Sequence, residues 1–377
     1  MAVVMLSVLG ACSSDGTEEP DPVLNIHVYA PGNPTPTRST SDPTSEEKKV
    51  HNLKIWVYKS SSDVQIGSLA LSESELTSLN ESNGGLYTMT VSREFAKNPE
   101  PVDVYVLANV SASNSGTGIA GNISDKSAIE NLAFNGGHYY CFVNSANNYA
   151  AATSLSAEGL PMSGVVRGKA VKNVSSVLHM TDANLQLMRA VSKIRFVFSS
   201  IDNSTTGNTG DFVYIDGVTL DANMLYTSEF LFLNDQYPYF HLGPSTFTHA
   251  TTIVSAMENK VERNSDPREY AYVSGMDESA FEAKIQQGVS EGKLTEAPTA
   301  YLPESDKKLT GKISYHLNSE PTATREASFS MLNGDFRRNQ TWIVYAYYTG
   351  SSKLEVITVK VTDWEDGGTW DHNVHNW

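Results

Sequence analysis

Val50-His51-Asn52-Leu53-Lys54-Ile55-Trp56-Val57-Tyr58 decides the fold class. Leu53, Ile55 and Val57 alternate with Lys54, Trp56 and Tyr58, and a period of two puts each set on its own face of an extended strand. The same alternation recurs at Leu86 to Val91 and at Val102 to Val110. Further on, Leu185, Leu187, Val191, Ile194, Phe196 and Phe198 predict one long strand with a bulge at Arg189-Ala190. Strands are also predicted over Phe212 to Leu220, Phe230 to Leu233, Gly311 to Leu317, Thr341 to Tyr348 and Leu354 to Val361. Helices are few and short. Ser72-Glu73-Ser74-Glu75 has capping-box spacing ahead of Leu76 and Leu79, and Ser124-Asp125 can cap a helix through Ile129 and Leu132. Asp277 to Gln287 reads as the clearest helix, with Asp277 as its cap and Gly288 just past its end. Short strands joined by turn-rich loops, in two groups, predict two β-sandwich-like domains that meet near residue 182.

Upstream of this body, Leu9-Gly10-Ala11-Cys12 follows an apolar run from Ala2 and precedes polar Ser13-Ser14-Asp15-Gly16. A run this short is the hydrophobic region of an export signal and not a bilayer span, and the small residues before Cys12 make it a lipobox. No Lys or Arg precedes Cys12, so a start codon further upstream is expected. Val23-Leu24-Asn25-Ile26-His27-Val28-Tyr29 is a short strand with Leu24, Ile26 and Val28 on one face. It leads into a linker from Pro31 to Pro43, where repeated prolines remove backbone donors and keep the chain extended. Arg38 is the first basic residue after Cys12 and the only Arg before Val50.

The 377 residues carry a net charge of −16, which argues against nucleic acid and against electrostatic attachment to anionic lipid. With Cys12 acylated, Cys141 has no internal partner, and its run Tyr139-Tyr140-Cys141-Phe142-Val143 places it as a small buried hydrophobe. Catalytic and cofactor motifs are wanting. Gly116-Thr117-Gly118-Ile119-Ala120-Gly121 spells GxGxxG, but polar residues separate it from the preceding strand, and that strand alternates where a parallel one would be continuously apolar. Asp363, Glu365, Asp366 and Asp371 lack the alternating ligand pattern of a calcium loop, and His372 with His375 lacks a third metal ligand. No metal site, cofactor or enzymatic activity is predicted.

Several segments together resemble the fimbrillins of Bacteroidia, the lipoprotein-derived subunits of type V pili. Glu46 to Tyr58 is similar to that family's opening strand. Val102-Asp103-Val104-Tyr105-Val106-Leu107-Ala108-Asn109 resembles its "vyvlAN" strand, and Leu160-Pro161-Met162-Ser163-Gly164 its "PMSG" segment. Leu187-Met188-Arg189-Ala190-Val191-Ser192-Lys193-Ile194 resembles its "RxxAK" strand, with Ser192 where Ala is common. Tyr301-Leu302-Pro303-Glu304 and Arg338-Asn339-Gln340-Thr341-Trp342 match later signatures. Each motif is weak alone, but their order spans nearly the whole chain.

The resemblance implies an all-β fold with a few short helices, built as two tandem β-sandwich-like domains of transthyretin-like, Greek-key type. The expected divisions are a lipoprotein signal at 1–12, a removable strand and linker at 13–49, and domains at 50–182 and 183–377. It further implies export as a lipoprotein through Cys12, surface cleavage between Arg38 and Ser39, and loss of the strand carrying Leu24, Ile26 and Val28. A neighbouring subunit would then fill the groove. The donor candidate is the tail at 364–377, with Trp370, His372, Val374 and the terminal Trp377. Implied partners are other copies of the chain and related fimbrial subunits, outer-membrane lipid before cleavage, and a host glycan or protein ligand. The implied location is a surface fimbrium reached through an outer-membrane precursor. Two rival roles carry the same fold: a cell anchor that keeps its lipid, and a tip adhesin. For the latter, Tyr237-Pro238-Tyr239-Phe240 and Tyr345-Ala346-Tyr347-Tyr348 are sugar-stacking candidates, although strand alternation favours core positions for them.

Overall fold

Strands whose apolar residues share one face must pair and then stack to hide that face. In the computed structural model they do so as two stacked pairs of sheets. The structure describes residues 21–29, 47, 49–76, 86–110, 123, 125–135, 141–143, 149–151, 155, 159–175, 177–180, 185–202, 211–233, 240–331, 336–350 and 353–363.

The first pair encloses a core from the N-terminal half. One sheet holds β1 (Val23–Tyr29) beside β4 (Leu86–Thr90), β11 (Val177–Met180) and β12 (Leu185–Gln186), with β10 (Val171–Val174) outside β11. The facing sheet has the order β13-β9-β5-β2-β3, formed by Met188–Arg189, Met162–Lys169, Val102–Ala108, Leu53–Lys59 and Gln65–Leu71. Leu24, Ile26 and Val28 meet Leu53, Ile55, Val57, Val104 and Val106 between the sheets. The opposite face of β2 and β5 is covered too. Trp56, Tyr58, Tyr105 and Leu107 pack with Ile129, Ala190, Leu231 and Phe232. Every residue of β5 is therefore buried, and the alternation of these strands separates two cores instead of core from water.

The second pair encloses the larger core. β14 (Val191–Ile201) runs parallel to β23 (Gln340–Tyr348), which pairs antiparallel with β24 (Leu354–Asp363). Along β14 lie β18 (Arg263–Asn264), β19 (Thr295–Glu296) and β20 (Ala300–Pro303). The facing sheet has the order β22-β21-β15-β17-β8-β7, from Glu320–Ser330, Thr310–Leu317, Val213–Leu220, Thr251–Val254, Tyr149–Ala151 and Cys141–Val143. A small pair, β6 (Ala133–Asn135) with β16 (Ser228–Phe230), links the halves. Phe196, Phe198, Val344 and Trp342 meet Ile215, Ile313, Tyr315 and Phe329 inside. Outside, Val197, Ile343, Tyr345 and Tyr347 lie under Phe281 and Ile285 of the helix Glu278–Ser290.

Local signals were read well where the chemistry is local. Ser72 donates its backbone N–H to Glu75 Oε2 at 2.8 Å, one half of the predicted capping box. Asp125 caps Lys126–Glu130 by accepting from the Ala128 N–H at 2.7 Å, and Asp277 caps its helix through the Ser279 N–H at 2.8 Å. Two expectations change. The helix from Glu278 continues through Gly288 to Ser290. Gly288 is a contact glycine there: a Cβ would meet Leu294 and the Tyr270 ring at 2.6 Å. Termination falls to Gly292 at φ +67°, where Lys293 N–H reaches Gly288 O and Gly292 N–H reaches Val289 O, the two bonds of a Schellman motif.

The predicted single strand from Leu185 to Phe198 is the second change, because three pieces replace the bulged strand. β12 pairs with β1, β13 with β9, and β14 with β23, so the chain changes sheets at Leu187 and again at Ala190, where it enters the second pair. Hydrogen-bonded partners thus change between Arg189 and Val191, several residues beyond the expected division at 182. Residues 141–151 cross the other way, since β8 joins β17 of the second half.

Candidate functional site

Two features bear on function: the seat of β1, and the polar seam where the halves meet. β1 occupies the middle of its sheet. It is antiparallel to β4 over Val23 to His27, parallel to β11 over Val23 to Asn25, and parallel to β12 at Val28 and Tyr29. Val23, Leu24 and Asn25 are registered with β4 on one side and β11 on the other, Leu24 with Met89 and Leu178, so both edges of the strand are engaged. Leu24 and Ile26 are 0 % exposed and Val28 is 4 % exposed, whereas His27 faces solvent. Asn25 accepts from Thr88 Oγ1 at 2.8 Å, and Asp21 pairs with exposed Arg93 at 3.3 Å. Backbone pairing and apolar sockets seat the strand. The helper strands come from Leu86–Thr90 and from 177–186, so lifting β1 out would separate two otherwise distant pieces of chain.

The seam collects the polar residues of motifs that lie far apart in sequence. Asn109, at φ +58°, donates Nδ2–H to Lys49 O and Leu160 O at 2.8 Å and accepts from His51 N–H at 2.7 Å. Ala190 N–H donates to Pro161 O at 2.9 Å. Arg189, fully buried, donates Nε and Nη2 to the Glu47 carbonyl at 3.3 Å and Nη1 to Asn339 Oδ1 at 3.3 Å. Lys193 Nζ lies 3.0 Å from Glu47 Oε1, to which the Tyr301 hydroxyl donates at 2.7 Å. Tyr301 stands opposite Lys193 in the β14–β20 register, and Arg189 ends β13 just before the chain enters β14, so both cations reach Glu47 from adjoining strands. Ser192 Oγ donates to Arg337 O, which gives the hydroxyl a use that the common alanine lacks.

A second buried cluster adjoins it. Arg338 grips Glu304 with Nε–Oε2 at 2.9 Å and Nη2–Oε1 at 2.5 Å, and donates to Leu231 O at 2.7 Å and Phe230 O at 2.8 Å. Those carbonyls belong to the segment that sends Leu231 and Phe232 against the back of the first sheet, where Phe232 meets the Tyr105 ring edge-on at 5.5 Å. Glu229 Oε2 accepts the Glu304 N–H at 2.9 Å, while Glu229 Oε1 is buried with no hydrogen-bond partner. Burial, and then the Glu304 charge, push the Glu229 carboxyl well above the usual carboxylate range. His241 donates Nδ1–H to Phe232 O at 2.9 Å and stacks on Phe230 at 3.9 Å, and burial lowers its pKa.

Of the residues singled out from sequence, Leu24, Ile26 and Val28 lie together in β1. Cys12, Arg38, Ser39, Trp370, His372, Val374 and Trp377 lie outside the described residues, as do Gly116 to Gly121 and Tyr237 to Tyr239. Tyr345, Ala346, Tyr347 and Tyr348 are all buried, which removes them as a sugar-stacking surface. Among the described residues there is no group of three or more His, Cys, Asp or Glu placed to hold a metal, and no helix long and apolar enough to cross a membrane. Sequence reasoning missed Glu47, Glu229 and Glu304. The available signal was charge inside apolar runs: Arg189 and Lys193 each stand in a run that must be buried, and a buried cation needs an anion nearby, whereas Arg338 lies in a polar turn that gives no such sign.

No protein-family model and no curated protein sequence matches the chain. Solved structures do. A candidate cell adhesion protein from Parabacteroides distasonis superposes with a TM-score of 0.54 at 12% identity, covering 92% of this chain and 98% of that one. A second, from Bacteroides eggerthii, gives 0.51 at 15% identity, covering 91% and 96%. The tip fimbrial protein Mfa3 from Porphyromonas gingivalis, with a C-terminal truncation, gives 0.50 at 14% identity, covering 92% and 100%. At these identities the likeness establishes the fold: an all-β fold shared with these cell adhesion and fimbrial proteins and matched over almost the full length of the chain.

Proposed function

We propose that the chain is a structural subunit of a surface fimbrium that polymerises by strand exchange and serves adhesion. In this reading it is exported as a lipoprotein on Cys12 and cut after Arg38, so that Ser39 becomes the new first residue. Residues up to Arg38, β1 among them, then depart. The tail at 364–377 of a neighbouring copy enters the vacated groove, with Trp370, His372, Val374 and Trp377 as the contacting side chains. The two-domain division is carried in the same proposal, with the change of partners after Arg189 as its working boundary. The fold shared with fimbrial and adhesion proteins supports the class.

The seat of β1 carries the mechanism. A short strand paired on both edges, with two side chains fully buried in apolar sockets, is what strand replacement requires. Each such side chain is worth about 1.5–3 kcal/mol on burial, so the open groove strongly favours a matching donor. Trypsin treatment of the native full chain, followed by N-terminal sequencing and denaturing gels without boiling, tests this. Ser39 should lead the product, and a detergent-resistant ladder should form that disappears when residues 364–377 are deleted. A cleaved product that stays monomeric would overturn it.

A further inference from the structure

Glu47 is 1 % exposed although it is a carboxylate in a polar stretch, four residues after Pro43. Its carboxylate takes the Lys193 ammonium at 3.0 Å and the Tyr301 hydroxyl at 2.7 Å, and its carbonyl takes two Arg189 donors at 3.3 Å. Just beyond it, the Lys49 carbonyl is bound by Asn109 Nδ2 at 2.8 Å and the His51 N–H by Asn109 Oδ1 at 2.7 Å. The Lys49–Val50 peptide bond is thus stitched down on both sides. A protease needs several consecutive residues free and extended, so a bond held this way is cut only after local opening.

We propose that Glu47 is a clamp that sets where the chain can be processed. It shields the Lys49–Val50 bond, so that cleavage of the folded chain falls upstream of Glu47. It also keeps the retained end of the chain docked on the seam while β1 leaves. The anion suits the task because removing it takes from the buried Lys193 ammonium the carboxylate 3.0 Å away, while the Arg189 contacts to the Glu47 carbonyl run through the backbone. This inference deepens the strand-exchange reading and rests on it for its biological meaning, but its physical content stands apart from any cut at Arg38.

The test uses the full chain with Glu47→Gln and Glu47→Ala, and two proteases. A lysine-specific endoprotease ignores Arg38. Against it, the parent should resist cleavage after Lys49 and the neighbouring Lys48, while Glu47→Ala is cut there about tenfold faster or more. Glu47→Gln, which keeps the shape and loses the charge, should fall between. With trypsin, the parent product should begin at Ser39 and the Glu47→Ala product at Lys49 or Val50. Equal lysine-specific rates in parent and both variants would overturn the clamp, as would a parent already cut at Lys49. Cleavage elsewhere in Glu47→Ala at parental rates shows that the body has folded, and Glu47→Gln supplies the reading if it has not. Failure of trypsin to cut at Arg38, with the lysine-specific difference intact, would sink the strand-exchange reading and leave the clamp standing.

Discussion

Truncating Ile26 to alanine should loosen the first sandwich at one place and leave the rest of the protein alone. Ile26 is fully buried between the two sheets, opposite the Ile55 and Val104 side of the facing sheet, and is registered with Tyr87. Removing its side chain deletes three carbons from a closed core. Substitutions of this kind cost about 2–5 kcal/mol, part of it transfer free energy and part the residual cavity. His27 is the control, since it is exposed on the same strand and surface changes usually fall within about 0.5 kcal/mol. Global unfolding is a poor readout for a chain with two cores, because a two-state analysis does not hold. Native-state hydrogen exchange on the β4 and β11 amides reports the local event directly. Ile26→Ala should speed their exchange by roughly thirtyfold or more, the equivalent of 2 kcal/mol, with β14 and β23 unchanged. In protein nicked at Arg38 the same substitution should accelerate loss of the β1 fragment. If Ile26→Ala and His27→Ala gave equal exchange in β4 and β11, β1 would not be the keystone of its sheet and the groove argument would fall.

The seam makes further predictions. Arg338→Ala should weaken the seam by about 3–5 kcal/mol, read by native-state hydrogen exchange at the Leu231 and Phe232 amides, since Glu304 is left buried and two carbonyls lose their donor. Arg338→Lys should recover little, because an ammonium cannot reproduce the two-pronged contact. Glu229 has a raised folded pKa, so the folded state binds the proton more tightly than the unfolded chain and its contribution is lost as pH rises from about 4.5 toward that raised value. Glu229→Gln should accordingly flatten the stability profile, gaining on the parent at neutral pH relative to pH 4 in a melting series. A parallel shift at every pH would count against a raised Glu229 pKa. At the C-terminal turn of the helix, Gly292→Ala should cost about 1 kcal/mol for its left-handed backbone, and Gly288→Ala more, because its Cβ would meet Leu294 and Tyr270.

Much of this architecture is legible in short windows. The period-two pattern located β2, β4, β5, β15, β21, β23 and β24 to within a few residues, and the caps at Glu75, Asp125 and Asp277 follow from side chains reaching backbone a turn away. The misreadings share a cause. Gly288 and Gly292 are both glycines near a helix end, and only the neighbouring Tyr270 and Leu294 show that the first is there for space and the second for its φ. The strand from Leu185 to Phe198 is continuous in pattern because each of its pieces is apolar, but the pattern carries no information about which sheet each piece joins. β3, β9 and β22 were not singled out, since glycines, serines and charges dilute their alternation.

By itself the sequence determined the all-β class, the face of β1 that Leu24, Ile26 and Val28 share, and the motifs that mark the fimbrillin-like fold. Those properties are set by residues a few positions apart. Tertiary structure alone decided that β1 lies between β4 and β11, that β5 is buried on both faces, and that Asn109, Arg189, Lys193, Tyr301, Glu304 and Arg338 meet in one seam around Glu47 and Glu229. Partner choice in a sheet depends on strands brought together across long stretches of chain, and the compensation of a buried charge depends on which strands those are. Neither is written in local spacing.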